Sequence, residues 1–124
     1  MDEESTYLKL RTIALEEFPD ITFSASIIRG PLHVANSLRV YFYDDSFLEI
    51  WLCDDKYSYH WQRVDGRVYR HDNAPHHQNK NFTTFPRHFH NGSEDRTEKS
   101  DIHTNPSIAL RQFLRFIRQI LNSK

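Results

Sequence analysis

Residues 47–71 read FLEIWLCDDKYSYHWQRVDGRVYRH, and this stretch decides the fold. Leu48, Ile50 and Leu52 alternate with Phe47, Glu49 and Trp51, the period-2 pattern of a strand with two different faces. Tyr57, Tyr59 and Trp61 then alternate with Ser58, His60 and Gln62. Asp65-Gly66 is a two-residue hairpin signal, and Arg67 to His71 returns as the next strand. The same grammar extends upstream. Ile21, Phe23, Ala25 and Ile27 alternate with Thr22, Ser24 and Ser26, Gly30-Pro31 breaks the run, and Leu38, Val40 and Phe42 alternate with Arg39 and Tyr41 before a turn at Asp44-Asp45. Short strands joined by tight turns predict an antiparallel meander.

Helical periodicity brackets the strands. Tyr7, Leu10, Ala14 and Phe18 share one face of a helix over residues 3–18, with acidic residues in its first turn and Pro19-Asp20 as its stop. Asn105-Pro106 supplies a cap and a first helical residue, after which Leu110, Phe113, Leu114, Ile117 and Leu121 form an apolar stripe. Between lies a polar stretch, residues 72–104, in which Phe82, Phe85 and Phe89 can pin the chain to the sheet. A short strand is expected near Phe85 to His90, and Ser93 to Ser100 reads as a mobile loop. The expectation is one α+β domain over residues 1–124: an N-terminal helix, a curved antiparallel meander of about four to six strands, and a C-terminal helix.

The 124 residues are 38% hydrophobic and 14% aromatic, with a net charge of −1. That near-neutral total hides an asymmetry. The first twenty residues are acidic, while Arg63, Arg67, Arg70, Arg87, Arg111, Arg115 and Arg118 lie later, so an anionic partner can be met locally. The row Arg111, Arg115 and Arg118 is either a solvated helix face or a stripe that follows phosphates. The single cysteine, Cys53, is expected at a strand end or buried. With no disulfide partner, no signal-peptide pattern and no run of roughly 18 apolar residues, the expected setting is cytoplasmic, without membrane contact.

Chemistry concentrates in His71 to His90, HDNAPHHQNKNFTTFPRHFH, which holds five of the eight histidines. Imidazole exchanges protons near neutral pH and is the commonest metal ligand. His88-x-His90 places two rings on one side of an extended chain, and His71, Asp72, His76 or His77 can complete a ligand set. The spacing matches none of the recurrent zinc patterns, however, so neither metal nor cofactor is expected. Acid–base cleavage of RNA needs a base for the 2′-hydroxyl, an acid for the leaving oxygen and a cation for the phosphorane. His71, His76, His77, His88 and His90 offer the first two, Arg87 the third, and Asp72 can orient an imidazole. Arg70, Asn73 and Lys80 can hold phosphate or base, and Tyr59 and Trp61 can stack on splayed bases. His33, His60 and His103, outside the cluster, read as structural or exposed.

The run Tyr69-Arg70-His71-Asp72-Asn73-Ala74-Pro75-His76-His77, followed by Phe85-Pro86-Arg87-His88-Phe89-His90 and Asn91-Gly92, resembles the signature of the TumE family of toxins from prokaryotic toxin–antitoxin systems. The resemblance is strongest over residues 67–92. It implies a small intracellular toxin neutralised by a cognate antitoxin, and an RNA-cleaving fold of the RelE and barnase type. Joined to the side-chain chemistry, it predicts a metal-independent endoribonuclease. The alternatives are a non-enzymatic binding module and a metal-dependent nuclease or hydrolase using the same histidines.

Overall fold

The computed structural model describes residues 2–75 and 80–123. Helix α1 (Glu3–Glu17) leads into β1 (Thr22–Arg29), β2 (Ala35–Phe42), β3 (Phe47–Cys53), β4 (Lys56–Gln62), β5 (Val68–Asp72), β6 (His88–Gly92) and β7 (Thr97–Lys99), and α2 (Pro106–Leu121) closes the chain. The seven strands form one antiparallel sheet in sequence order, a pure meander. The α+β plan of helix, meander and helix is therefore the one the sequence predicts, with a strand more than the upper expectation. The extra strand is β7, which lies in the stretch expected to be a loop.

Local chemistry sets the boundaries. The Asp2 carboxylate accepts from the Glu4 amide at the start of α1. The Asn105 side chain accepts from the Ser107 and Ile108 amides ahead of α2, satisfying N–H groups the helix itself cannot. Gly66 takes φ +95 in the β4–β5 turn, a left-handed conformation that costs glycine little. Cys53 is the last residue of β3 and is exposed.

Both helices pack on one face of the sheet. That face carries Leu38, Val40, Leu48, Ile50, Tyr59, Trp61, Tyr69 and Phe89, all buried with Leu10 of α1 and Leu110, Phe113 and Ile117 of α2. Trp61 is fully buried; its indole N–H donates to Ser46 Oγ at 2.9 Å, and Phe116 meets it edge-on. Tyr7 ties α1 to the sheet, its hydroxyl accepting from the Leu52 amide at 2.9 Å. The arginine row of α2 is largely spent on the acidic α1 end: Arg111 binds Glu17 and Arg118 binds Asp20, each at 2.7 Å. Arg115, between them, is exposed. Among the described residues, no helix is long and apolar enough to cross a membrane.

Candidate functional site on the uncovered sheet face

Strand register brings polar residues together on the face away from the helices. One row across the sheet runs Glu49, His60, Arg70, His90 and Thr97; the next runs Trp51, Ser58, Asp72, His88 and Lys99. Because side chains alternate, the intervening row, Ile50, Tyr59, His71 and Phe89, points into the core.

Arg70 is the hub of the polar face. Its Nε donates to Asp72 Oδ2 at 2.8 Å, and its Nη1 and Nη2 reach the two oxygens of Glu94 at 3.0 and 2.8 Å. The same guanidinium lies 3.3 Å from His60 Nδ1 and 3.0 Å from His90 Nε2. A guanidinium only donates, so both facing imidazole nitrogens are acceptors. Nδ1 of His90 then carries the proton and gives it to the Glu94 carbonyl, 3.0 Å away. His90 is thus a neutral ring, and its pKa is lowered, first by burial and then by the Arg70 charge.

His88 is fully buried behind this hub. Its Nδ1 lies 3.1 Å from the Pro86 carbonyl and its Nε2 3.0 Å from Asp72 Oδ1. The rings of His88 and His90 meet edge to face with centroids 4.9 Å apart. Asp72 is buried too, and its Oδ1 also accepts from the Ala74 amide. Asp72, His88 and His90 offer one ligand atom each within 4.8 Å of one another, a two-imidazole, one-carboxylate set that can in principle hold a divalent cation. The Arg70 charge works against that: its nitrogens already occupy Asp72 Oδ2 and His90 Nε2.

Solvent reaches the hub through two adjoining clefts. One, about 510 Å³, is lined by Glu49, Trp51, Ser58, His60 and Arg70. The other, about 360 Å³, is lined by Trp51, Lys56, Tyr57, Ser58, Asp72 and Asn73, with Ala74 and Pro75 at its rim.

The other predicted site residues lie elsewhere. His71 stacks on Phe89 at 4.2 Å, meets Phe113 edge-on at 5.2 Å and bonds to Ser100 Oγ at 2.7 Å. Burial pushes its pKa down to about 4. It lies on the floor of a separate groove of about 820 Å³ beside α2. Tyr59 and Trp61, expected to stack on bases, are 2% and 0% exposed in the core. Arg87 donates to the Ile102 carbonyl and lines a third cleft with Thr84 and Tyr57. Asn73 accepts from the Tyr57 amide and donates to the Asp55 carbonyl, pinning the β3–β4 turn. Lys80 is exposed. His76 and His77 lie outside the described residues. His60 and Glu94, which also contact Arg70, are not among the expected site residues. His60 was detectable by alternation, since it shares a face with Glu49 and Gln62; Glu94 comes from a loop and carries no such signal.

The family model for toxin TumE matches residues 10–121. The chain belongs to the TumE toxin family. The match runs from α1 to the end of α2 and takes in the whole sheet and the Arg70–His90 hub. Membership makes it a toxin of a toxin–antitoxin system, with a cognate antitoxin as the partner that family implies. No curated protein and no solved structure matches the chain.

Proposed function

We propose that this TumE toxin is a metal-independent endoribonuclease whose chemistry takes place at the Arg70 hub. The carrying observation is that one guanidinium holds two acceptor imidazoles, His60 and His90, beside an exposed carboxylate that grips it in bidentate fashion. Glu94 is 58% exposed and sits where a substrate phosphate would sit, because Arg pairs with carboxylate and phosphate in the same fork geometry. A phosphate that displaces Glu94 turns the Arg70 N–H groups onto its own oxygens and releases the imidazole nitrogens. His90, neutral, then takes the 2′-hydroxyl proton. His60, which lines the open cleft, takes up a proton from solvent on the Nδ1 that Arg70 has released and gives it to the leaving 5′-oxygen, and Arg70 stabilises the phosphorane charge. Asp72 holds Arg70 in place, and His88, sealed behind Asp72, is a positioning residue.

A second reading, a metal-dependent hydrolase, is favoured by the Asp72, His88 and His90 donor set. The Arg70 cation beside those donors is the argument against it.

The test is single-turnover cleavage of a long single-stranded RNA by the full chain, with a chelator present, across pH. Wild type should give a bell-shaped profile, since one imidazole must be neutral and another protonated. His90→Ala and His60→Ala should each lose about 100- to 10,000-fold. Induced expression should arrest growth, with the adjacent antitoxin restoring it. Absence of cleavage at every pH would overturn the proposal. So would activity that is lost with a stoichiometric metal and rises steadily into the alkaline range, which would install the metal reading.

A further inference from the structure

The face that carries the Arg70 hub also carries an indole ring that the fold leaves uncovered. Trp51 is 41% exposed, while the chain's other tryptophan, Trp61, is fully buried. Exposing an indole forgoes a large burial gain, and here the ring borders both clefts that lead to the hub. Its cross-strand neighbour is Ser58, and the next residue in the row is Asp72. The side chain next to Trp51 in the row toward the site is therefore a small one, the Ser58 hydroxymethyl group. At roughly 4.8 Å between neighbouring strands, Trp51 stands about 10 Å from the Asp72 position. Cations flank it, with exposed Lys56 bordering one cleft and Arg70 the other.

We infer that Trp51 is the stacking platform for a nucleobase next to the scissile phosphate, so that single-stranded RNA crosses the open sheet face with its backbone passing between Lys56 and Arg70. This rests on the reading of the same face as an RNA-cleaving site. Aromatic side chains on an open sheet are a recurrent way of holding unpaired bases, because every base has a π-face and a duplex hides it. Trp51 is then a positioning residue. It sets where the chain lies relative to Arg70 and moves no proton.

The experiment uses the full chain and a labelled, single-stranded 2′-O-methyl RNA of about eight randomised nucleotides, which matches the usual footprint of such surfaces and has no 2′-hydroxyl to attack. Binding is read by anisotropy and by quenching of tryptophan emission, beside cleavage of unmodified RNA. Wild type should bind with quenching. Trp51→Phe should keep most of the affinity. Trp51→Ala and Trp51→Leu should each weaken binding by about 5- to 150-fold, the loss expected for one stacked base. The leucine variant keeps apolar bulk, so it separates ring stacking from simple surface packing should the alanine variant fold poorly. In cleavage, the loss should fall on the half-saturating RNA concentration much more than on the rate at saturation. Equal binding by wild type and Trp51→Leu, with cleavage intact, would overturn the platform and leave the nuclease reading standing. Quenching by the probe without cleavage of any RNA would keep the platform and overturn the nuclease reading. If the antitoxin alone quenched Trp51 and RNA did not, the ring would belong to a protein interface and the inference would fall.

Discussion

The buried imidazole of His71 makes the stability of this fold pH-dependent in a calculable way. The ring is sandwiched by Phe89 and Phe113 and bonded to Ser100 Oγ. Burial lowers its pKa from 6.5 to about 4, against the opposing pull of Asp101 and Asp72. The native state therefore refuses a proton that the unfolded chain takes up. Below the unfolded pKa, the unfolded state binds more protons, so stability falls as pH falls. The full difference, at ~1.36 kcal/mol per unit, is about 3 kcal/mol once pH is below the native value. Near pH 5 the loss is already about 2 kcal/mol relative to pH 8. The control is the double variant His71→Phe with Ser100→Ala. It keeps an aromatic ring in the stack and removes both members of the His71–Ser100 bond; the Ile102 amide also loses its Ser100 Oγ acceptor, a cost that is the same at both pH values and cancels in the comparison. Urea unfolding near pH 8 and pH 5 gives the free energies. Wild type should lose about 2 kcal/mol more than the double variant over that interval, because every other titrating group is common to both. Parallel pH dependence in the two proteins would show that the native state accommodates the His71 charge, and the burial argument would fail.

Two further outcomes follow from the geometry. Trp61→Ala should cost about 3–5 kcal/mol in urea unfolding, since the ring is fully buried and its N–H is bonded to Ser46; a stable variant with impaired RNA binding would instead make Trp61 a substrate contact. Glu94→Gln should tighten binding of a non-cleavable RNA by no more than about fivefold, because the Arg70–Glu94 pair is exposed on the glutamate side and such pairs contribute at most ~1 kcal/mol; weaker binding would show that Glu94 holds Arg70 ready and does not compete with phosphate.

Alternation made most of the fold readable. The period-2 runs of β1 to β5 and the apolar stripe of α2 each point to one element, and the helices and hairpins fall where those patterns predict. β7 was missed because Thr97-Glu98-Lys99 has no apolar face. It is an edge strand, held by pairing with His88, Phe89 and His90, and polar edges carry no strand-like hydrophobic signal. The residues of the candidate site were half legible. His88-x-His90 and Asp72 were found because their spacing and chemistry are local. Closeness along the chain misled at His71, where alternation turns the ring away from Asp72. It misled again at Arg87, which ends one residue short of the β6 ladder. Tyr59 and Trp61 looked like base-stacking rings because aromatic content alone does not say which face the helices cover. Their row partners Ile50 and Leu48 do say so, and by the same reasoning Trp51 is the outward-facing ring.

The contiguous run Arg70-His71-Asp72-Asn73 therefore combines residues with different tasks. Arg70 and Asp72 face the open side; His71 fills the core between Phe89 and Phe113; Asn73 ties the strand end to the Tyr57 amide and the Asp55 carbonyl. A slip of β5 by one residue would exchange the two faces, driving the Arg70 guanidinium and the Asp72 carboxylate under α2 and leaving His71 outside. Three contacts oppose that slip. Gly66 fixes the turn before β5, with the Arg63 amide bonded to the Arg67 carbonyl at 2.9 Å. The His71 ring fits its aromatic slot, and Asn73 closes the far end. On the proposed cleavage mechanism, His71 and Asn73 would act without touching substrate, by fixing the register that puts Arg70 between His60 and His90. Loss of activity on substituting His71 would report this register unless the variant kept its stability and its Arg70 geometry, so His71 variants must be read with the unfolding measurement beside the cleavage assay.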